Sequence, residues 1–197
     1  EDLGTAMAGF LAQYPGIDIQ ARTGIYDSFI QDLTSGDLDM FVAELRERAP
    51  DTSFVHEPLY RLPYAVIAGP QHPLAGRKAI RLKDLVAYPW LYGTDWVSNL
   101  AHWEDAFAAE GLDPPQPHIS GGRMELYGGL LPRSTFLAVV PEPLVTPLLD
   151  RRTVVKIDIP GADWHSPVTL VYRKDRTLPP AARMFAERLG AALRDPA

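Results

Sequence analysis

An α/β fold is what this sequence predicts, and three observations predict it. Short apolar runs of strand length, at 64–68, 89–92, 136–140, 154–159 and 168–172, alternate with segments whose apolar residues recur at helical spacing. Glycine and proline punctuate the junctions, as at Gly69-Pro70 and Pro179-Pro180. No internal repeat or low-complexity tract interrupts the alternation, and strands interleaved with helices place helices against a largely parallel sheet.

The elements follow in order. Leu3, Met7, Phe10, Leu11 and Tyr14 have helical spacing, with Gly4-Thr5 near the start, where unpaired backbone N–H groups can face an anion. Ile17 and Ile19 alternate with Asp18 and Gln20, the period of a short strand. Phe29, Ile30 and Leu33 mark a helix over 27–35, and Gly36 stands where a helix takes a left-handed stop. A second strand follows at 38–43. Strand, helix and strand within 14–44 predict a right-handed βαβ unit with parallel strands. Ligands then collect beyond the carboxyl ends of those strands, at 23–26 and near Ala43-Glu44.

Residues 46–53 read as a surface loop, 54–60 as an extended segment and 64–68 as a strand. A short helix is expected at 82–86, a buried strand at 89–92 and a turn at Gly93-Thr94-Asp95. Leu100, Trp103 and Phe107 give the next helix, capped by Asp95 or Ser98 and ending at Gly111. A proline-rich connector at 113–117 leads to a brief strand at 118–120. Ser120-Gly121-Gly122 opens a helix carrying Met124, Tyr127, Leu130 and Leu131. Strands at 136–140 and 154–159 flank a helix at 144–149. After the strand at 168–172, Pro179-Pro180 starts a final helix that buries Met184, Phe185, Leu189 and Leu193.

The bulk properties bound the function. The 197 residues are 46% hydrophobic, enough for one or two small lobes with their own cores. With no cysteine, a disulfide scaffold, a thiolate metal site and a cysteine nucleophile are excluded. Acidic residues number 25 against 19 basic, a formal charge of −6, which argues against this chain gripping a phosphate backbone by itself. No apolar run approaches the roughly 18 residues of a membrane span. No export leader is read at its start.

The five histidines, His56, His72, His102, His118 and His165, are scattered without metal-ligand spacing and read as surface or supporting residues. No GxSxG, HExxH or phosphate-binding GxxxxGK[ST] pattern occurs, and no pair of carboxylates stands out. No catalytic residue, metal site or cofactor is therefore assigned.

Several pieces in order carry a resemblance. An aromatic-containing helix runs into YPG at 14–16, and a second helix ends in SGDLDMFV at 35–42. EPLY at 57–60, GPQHPLAG at 69–76, IRLKDLVAYPWL at 80–91 and LVYRKDRTLPPAARMFAERL at 170–189 follow. Each piece alone is weak; the ordered series resembles the effector-binding domain of LysR-type transcriptional regulators over nearly the whole chain. The resemblance implies two Rossmann-like lobes joined by two crossover strands, as in type 2 periplasmic binding proteins. It puts 1–69 plus 169–197 in the first lobe and 70–168 in the second. It also implies a strand ahead of the first helix that this sequence does not contain. Family members often carry a glycine-containing run before the proline that here is Pro141, where this chain has Arg133-Ser134-Thr135-Phe136-Leu137-Ala138.

Candidate binding residues are Thr5 and three loops that precede helices: Thr23-Gly24-Ile25-Tyr26, Thr94-Asp95-Trp96 after Gly93, and Ser120-Gly121-Gly122-Arg123. Helix starts supply N–H donors and partial positive charge for an acid or polyol. Taken singly, each is more simply an ordinary loop whose hydroxyl caps a helix. The resemblance reverses that preference, because effectors of these regulators sit between the lobes against such loops. Arg123 either forks a carboxylate or is a solvated first-turn arginine. Trp96 is the tryptophan placed to stack on a ligand; Trp103 shares a stripe with Leu100 and Phe107 and belongs to a core, and Trp164 stays open between the two roles.

The resemblance thus implies a small-molecule sensor, answering to a small aromatic or sugar-type acid. It implies a homodimer or tetramer using the helices at 27–35 and 123–131, and a cytoplasmic location without membrane contact. DNA would be bound only through an amino-terminal domain outside this sequence. A solute-binding protein of a transport system shares the architecture and is the alternative, and a two-lobed enzyme is a third reading with no candidate catalytic group.

Overall fold

The computed structural model describes residues 3–45, 52–93, 101–121, 124–161 and 164–193. The chain divides into two compact units, Glu1–Arg61 with Pro167–Ala197, and Leu62–Ser166. Both crossings run through strands: β2, Phe54–Ala68, passes from the first unit into the second, and β7, His165–Arg173, passes back.

In the first unit α1, Leu3–Gln13, α2, Tyr26–Ser35, β1, Phe41–Glu44, and α7, Pro180–Leu193, surround a sheet in the order β1-β7-β2. β1 runs antiparallel to β7, with Phe41 opposite Val171 and Val42 opposite Leu170. Because successive side chains leave a strand on opposite faces, the two faces build separate cores. Leu59 and Leu170 meet Ala6 of α1 and Ala186, Leu189 and Leu193 of α7. Phe41, Phe54 and Val171 meet Leu33 of α2. Phe10 ties α1 to α7 through Phe185, their ring centroids 5.0 Å apart. The buried stripe of α7 is Ala186, Leu189, Gly190 and Leu193, while Met184 and Phe185 are only half-buried. α2 stops at Gly36, whose φ of 88° is the left-handed conformation its position predicts.

Two expectations fail in this unit. Ile17 and Ile19 are half-buried and Asp18 and Gln20 exposed, as the alternation requires, yet 17–20 is not a strand and joins no described ladder. Periodicity reports which side of a segment is covered; it does not supply a neighbouring edge. The parallel βαβ unit over 14–44 is accordingly absent among the described residues.

The second unit holds α3, Leu82–Leu85, β3, Trp90–Tyr92, α4, Ala101–Ala109, β4, Pro117–Ser120, α5, Met124–Leu130, β5, Leu137–Pro141, α6, Glu142–Asp150, and β6, Val155–Lys156. Its sheet runs β2-β5-β3-β4, with β6 beside β2. β3 is parallel to both β4 and β5, and β2 antiparallel to β5. β3, β5 and the end of β2 are buried on both faces, so they read as continuous apolar runs. Val66, Ala68, Trp90, Tyr92, Leu137 and Val139 face α3 and α4. Ala65, Ile67, Leu91, Ala138 and Val140 face α5 and α6. The run at 154–159 is apolar because Val154, Ile157 and Ile159 bury their side chains; only Val155 and Lys156 pair as a strand.

Trp103 lies at the centre of the α4 face, 2% exposed, as its stripe predicts. Trp164 packs edge-on against it at 4.9 Å, which assigns that tryptophan to the core. His72, expected among the surface or supporting histidines, is buried, at 4% exposed. Leu74 N–H donates to His72 Nδ1 at 3.1 Å, so the proton sits on Nε2, which donates to the Thr135 carbonyl at 3.2 Å. Burial pushes the His72 pKa down, against the opposing pull of the Thr135 carbonyl. A base with a lowered folded pKa gives stability that is complete above its unfolded value, about 6.5, and is lost as pH falls through the folded value. Urea midpoints of the second unit should therefore fall as pH is lowered below about 6.5, and His72→Gln should flatten that slope. An unchanged slope in the variant would mean that other groups carry it.

Candidate functional site

The parallel strands of the second unit aim their carboxyl ends at one edge, the position where open α/β sheets gather ligands. Tyr92, the last residue of β3, is in register with Ser120 of β4 and Val139 of β5. Gly93, Ser120 and Gly121 are thereby brought to the same edge. Gly121 has φ of 100°, which a side chain would strain, and its N–H donates to the Tyr92 carbonyl at 2.7 Å. Ser120 is exposed. Among the described residues the edge therefore presents the Ser120 hydroxyl beside the backbone of Gly93 and Gly121.

Tyr127 was not legible as part of this edge. Its position on the apolar stripe of α5 reads as core, and the residue is 8% exposed. Its hydroxyl nevertheless lies 3.0 Å from where a Cβ on Gly93 would stand. Below the edge, Tyr92 donates its hydroxyl to the Pro115 carbonyl and accepts the indole N–H of Trp103 at 3.2 Å. Burial raises the Tyr92 pKa, with the Trp103 bond acting against it and the Glu104 charge adding to it. The phenol stays protonated and holds the strand end to the 113–116 connector.

The first unit carries a candidate loop of its own. Thr23, Gly24 and Ile25 are exposed and Tyr26 half-buried. The cap position of α2 is Ile25, in extended backbone, and no side chain caps the helix. The bland expectation that the loop's hydroxyl is a helix cap is thus not met by Thr23. A Cβ at Gly24 would lie 3.1 Å from the Phe29 ring and from Ser28 Oγ, a tight fit that those side chains would have to yield to. Tyr26 shares a hydrogen bond of 3.0 Å with His56 Nε2 and sits edge-on to Phe41. Thr5 is exposed in the first turn of α1.

Thr94, Asp95, Trp96, Gly122 and Arg123 lie outside the described residues. Among the described residues no group of three or more His, Asp or Glu is placed to hold a metal. No described helix is long and apolar enough to cross a membrane.

The sequence profile of the LysR substrate binding domain matches residues 2–194, nearly the full chain. The chain belongs to the LysR substrate-binding domain family. A similar curated relative is the SDS degradation transcriptional activation protein of a Pseudomonas species, 31% identical over 182 residues, covering 90% of this chain and 58% of the relative. This LysR domain thus spans under two thirds of that relative's length. Among solved structures, HinK, a LysR family transcriptional regulator from Pseudomonas aeruginosa, superposes with a TM-score of 0.80 at 25% identity, covering 99% of this chain and 66% of that one. The effector binding domain of QuiR in complex with shikimate gives 0.81 at 20% identity, covering 98% and 90%. The fold is the type 2 periplasmic-binding-protein-like fold of LysR effector-binding domains, and the relatives are transcriptional regulators rather than enzymes or transport proteins.

Proposed function

We propose that this LysR domain senses a small aromatic or sugar-type acid held between its two units. The proposed contacts are Thr5, Thr23, Gly24, Ile25 and Tyr26 on one side and Thr94, Asp95, Trp96, Ser120, Gly121, Gly122 and Arg123 on the other. The observation that carries this reading is the convergence of Gly93, Ser120 and Gly121 at the carboxyl edge of β3 and β4, where an exposed hydroxyl beside glycine backbone suits a small hydroxylated acid. The acid bound by QuiR supports the same class of ligand. Ligand binding shifts the balance between two arrangements of the units by its differential affinity for them. In the whole regulator that shift reaches DNA through a separate amino-terminal domain, in a cytoplasmic dimer or tetramer assembled through α2 and α5. The domain itself catalyses nothing.

A thermal-shift screen with aromatic acids, sugar acids and neutral sugars tests the reading. A specific ligand at about 100 times its Kd stabilises by about 2.7 kcal/mol, enough to move the melting temperature by several degrees. Trp96→Ala and Arg123→Ala are each expected to abolish the shift. If both leave it intact, or only neutral sugars give one, the assignment fails.

A further inference from the structure

The connection from β7 to α7 concentrates positive charge in a chain that is acidic overall. Arg173, Lys174, Arg176 and Arg183 line a hollow of about 300 Å³ with Tyr172, Asp175, Thr177 and Leu178. Two of these groups are already committed. Arg173 holds Asp175 through two bonds of 2.8 and 2.6 Å and donates a third to the Thr34 carbonyl at 2.8 Å, so that pair is neutral and closes the end of α2. Lys174 and Arg183 form no ion pair among the described residues, and Arg176 adds its charge to that of Arg173 beside Asp175. Four cations and the Thr177 hydroxyl therefore line this hollow against one lining carboxylate, Asp175.

A larger hollow of about 610 Å³ adjoins it, sharing Tyr172, Leu178 and Arg183. Its remaining lining is Ala186, Gly190 and Ala191 of α7, with Glu57 and Glu187. Glu57 accepts the Tyr172 hydroxyl at 2.6 Å, and Glu187 is the second acidic group of the lining. The small side chains of α7 leave room above the helix backbone. One end of the combined space is cationic and the other is apolar in its floor.

We propose that this surface of the first unit binds an organic phosphate or sulfate ester. Its charged head sits at Lys174, Arg176 and Arg183, and its carbon body lies over Leu178, Ala186 and Gly190. Guanidinium forks and an ammonium suit a tetrahedral oxyanion, through charge-assisted bonds. The space beyond the head leaves room for an organic portion. All the lining residues belong to one unit, so this site is independent of the effector loops.

Hexyl phosphate and hexyl sulfate are the probes, titrated by calorimetry into the chain, with inorganic phosphate and hexanol as controls. Either ester should bind at least about tenfold more tightly than inorganic phosphate and hexanol, a gap of about 1.4 kcal/mol. Lys174→Gln with Arg183→Gln, both on exposed groups without described partners, should weaken binding by about tenfold or more while leaving the melting temperature near that of the parent. Amide chemical-shift changes should map to 172–191. Equal binding of inorganic phosphate would reveal an adventitious ion only. Failure of both esters to bind, tighter binding of hexanol, an unaffected double variant, or shifts confined to 23–26 and 120–121 would each overturn the site. The last result would leave the effector assignment standing.

Discussion

Trp103→Ala is expected to remove about 4 kcal/mol of stability from the second unit, the range for deleting a buried aromatic side chain. The indole is 2% exposed and touches three aromatic neighbours, with ring centroids 4.9 Å from Trp90, 4.7 Å from Phe107 and 4.9 Å from Trp164. Those rings come from β3, α4 and the segment before β7, so no single side chain can collapse into the space left behind. The variant also takes away the N–H that Tyr92 accepts. Trp103→Phe separates the two losses. It keeps most of the ring volume and gives up the bond, at about 1 to 2 kcal/mol. Urea unfolding followed by circular dichroism measures the loss, and a thermal melt should show a fall in Tm of roughly 10 °C for the alanine variant. A loss under about 1 kcal/mol would mean that the aromatic cluster is not the centre of this core.

Gly69→Ala is expected to cost about 3 kcal/mol, at the upper end for overpacking a well-filled site. A Cβ at Gly69 would lie 2.2 Å from the Leu131 carbonyl oxygen and 2.9 Å from both Leu131 C and Pro132 Cα. All three are backbone atoms, so relief requires the end of β2 and the Leu131–Arg133 turn to separate. Their contact brings the edge of the sheet against the turn that leads into β5. Two other glycines calibrate the effect. Gly76 has φ of 72° with nothing near its missing Cβ, so alanine there should cost only the left-handed backbone penalty of about 1 kcal/mol. Gly16 has open space and no positive φ, and Gly16→Ala should be neutral or slightly stabilising. If Gly69→Ala behaved like Gly16→Ala, the close approach of the two segments would be wrong.

The same contrast shows how far the sequence could be read. Gly36 is legible because its constraint is local: a helix of apolar period ends, and the next residue must turn left-handed. Gly69 is not legible, because its constraint comes from Leu131, more than sixty residues away. His72 repeats the lesson. Its two ring nitrogens are satisfied by Leu74 and Thr135, and only the second unit's packing brings Thr135 to it. At the candidate site, the glycine and hydroxyl loops were readable from their types, whereas the approach of the Tyr127 hydroxyl to Gly93 required α5 to be docked on the sheet.

By itself the sequence determined which segments are helices, which strands are apolar on both faces, and that the chain carries no thiol. These follow from side-chain size, polarity and spacing within one element. The tertiary structure alone decided that β1 pairs with β7 while 17–20 pairs with no described strand, that Trp103 joins Trp90 and Trp164, and that Lys174 and Arg183 share a hollow. The physical reason is that ladders, close packing and charge clusters join residues distant along the chain. Their energies exist only once the whole unit has closed around them.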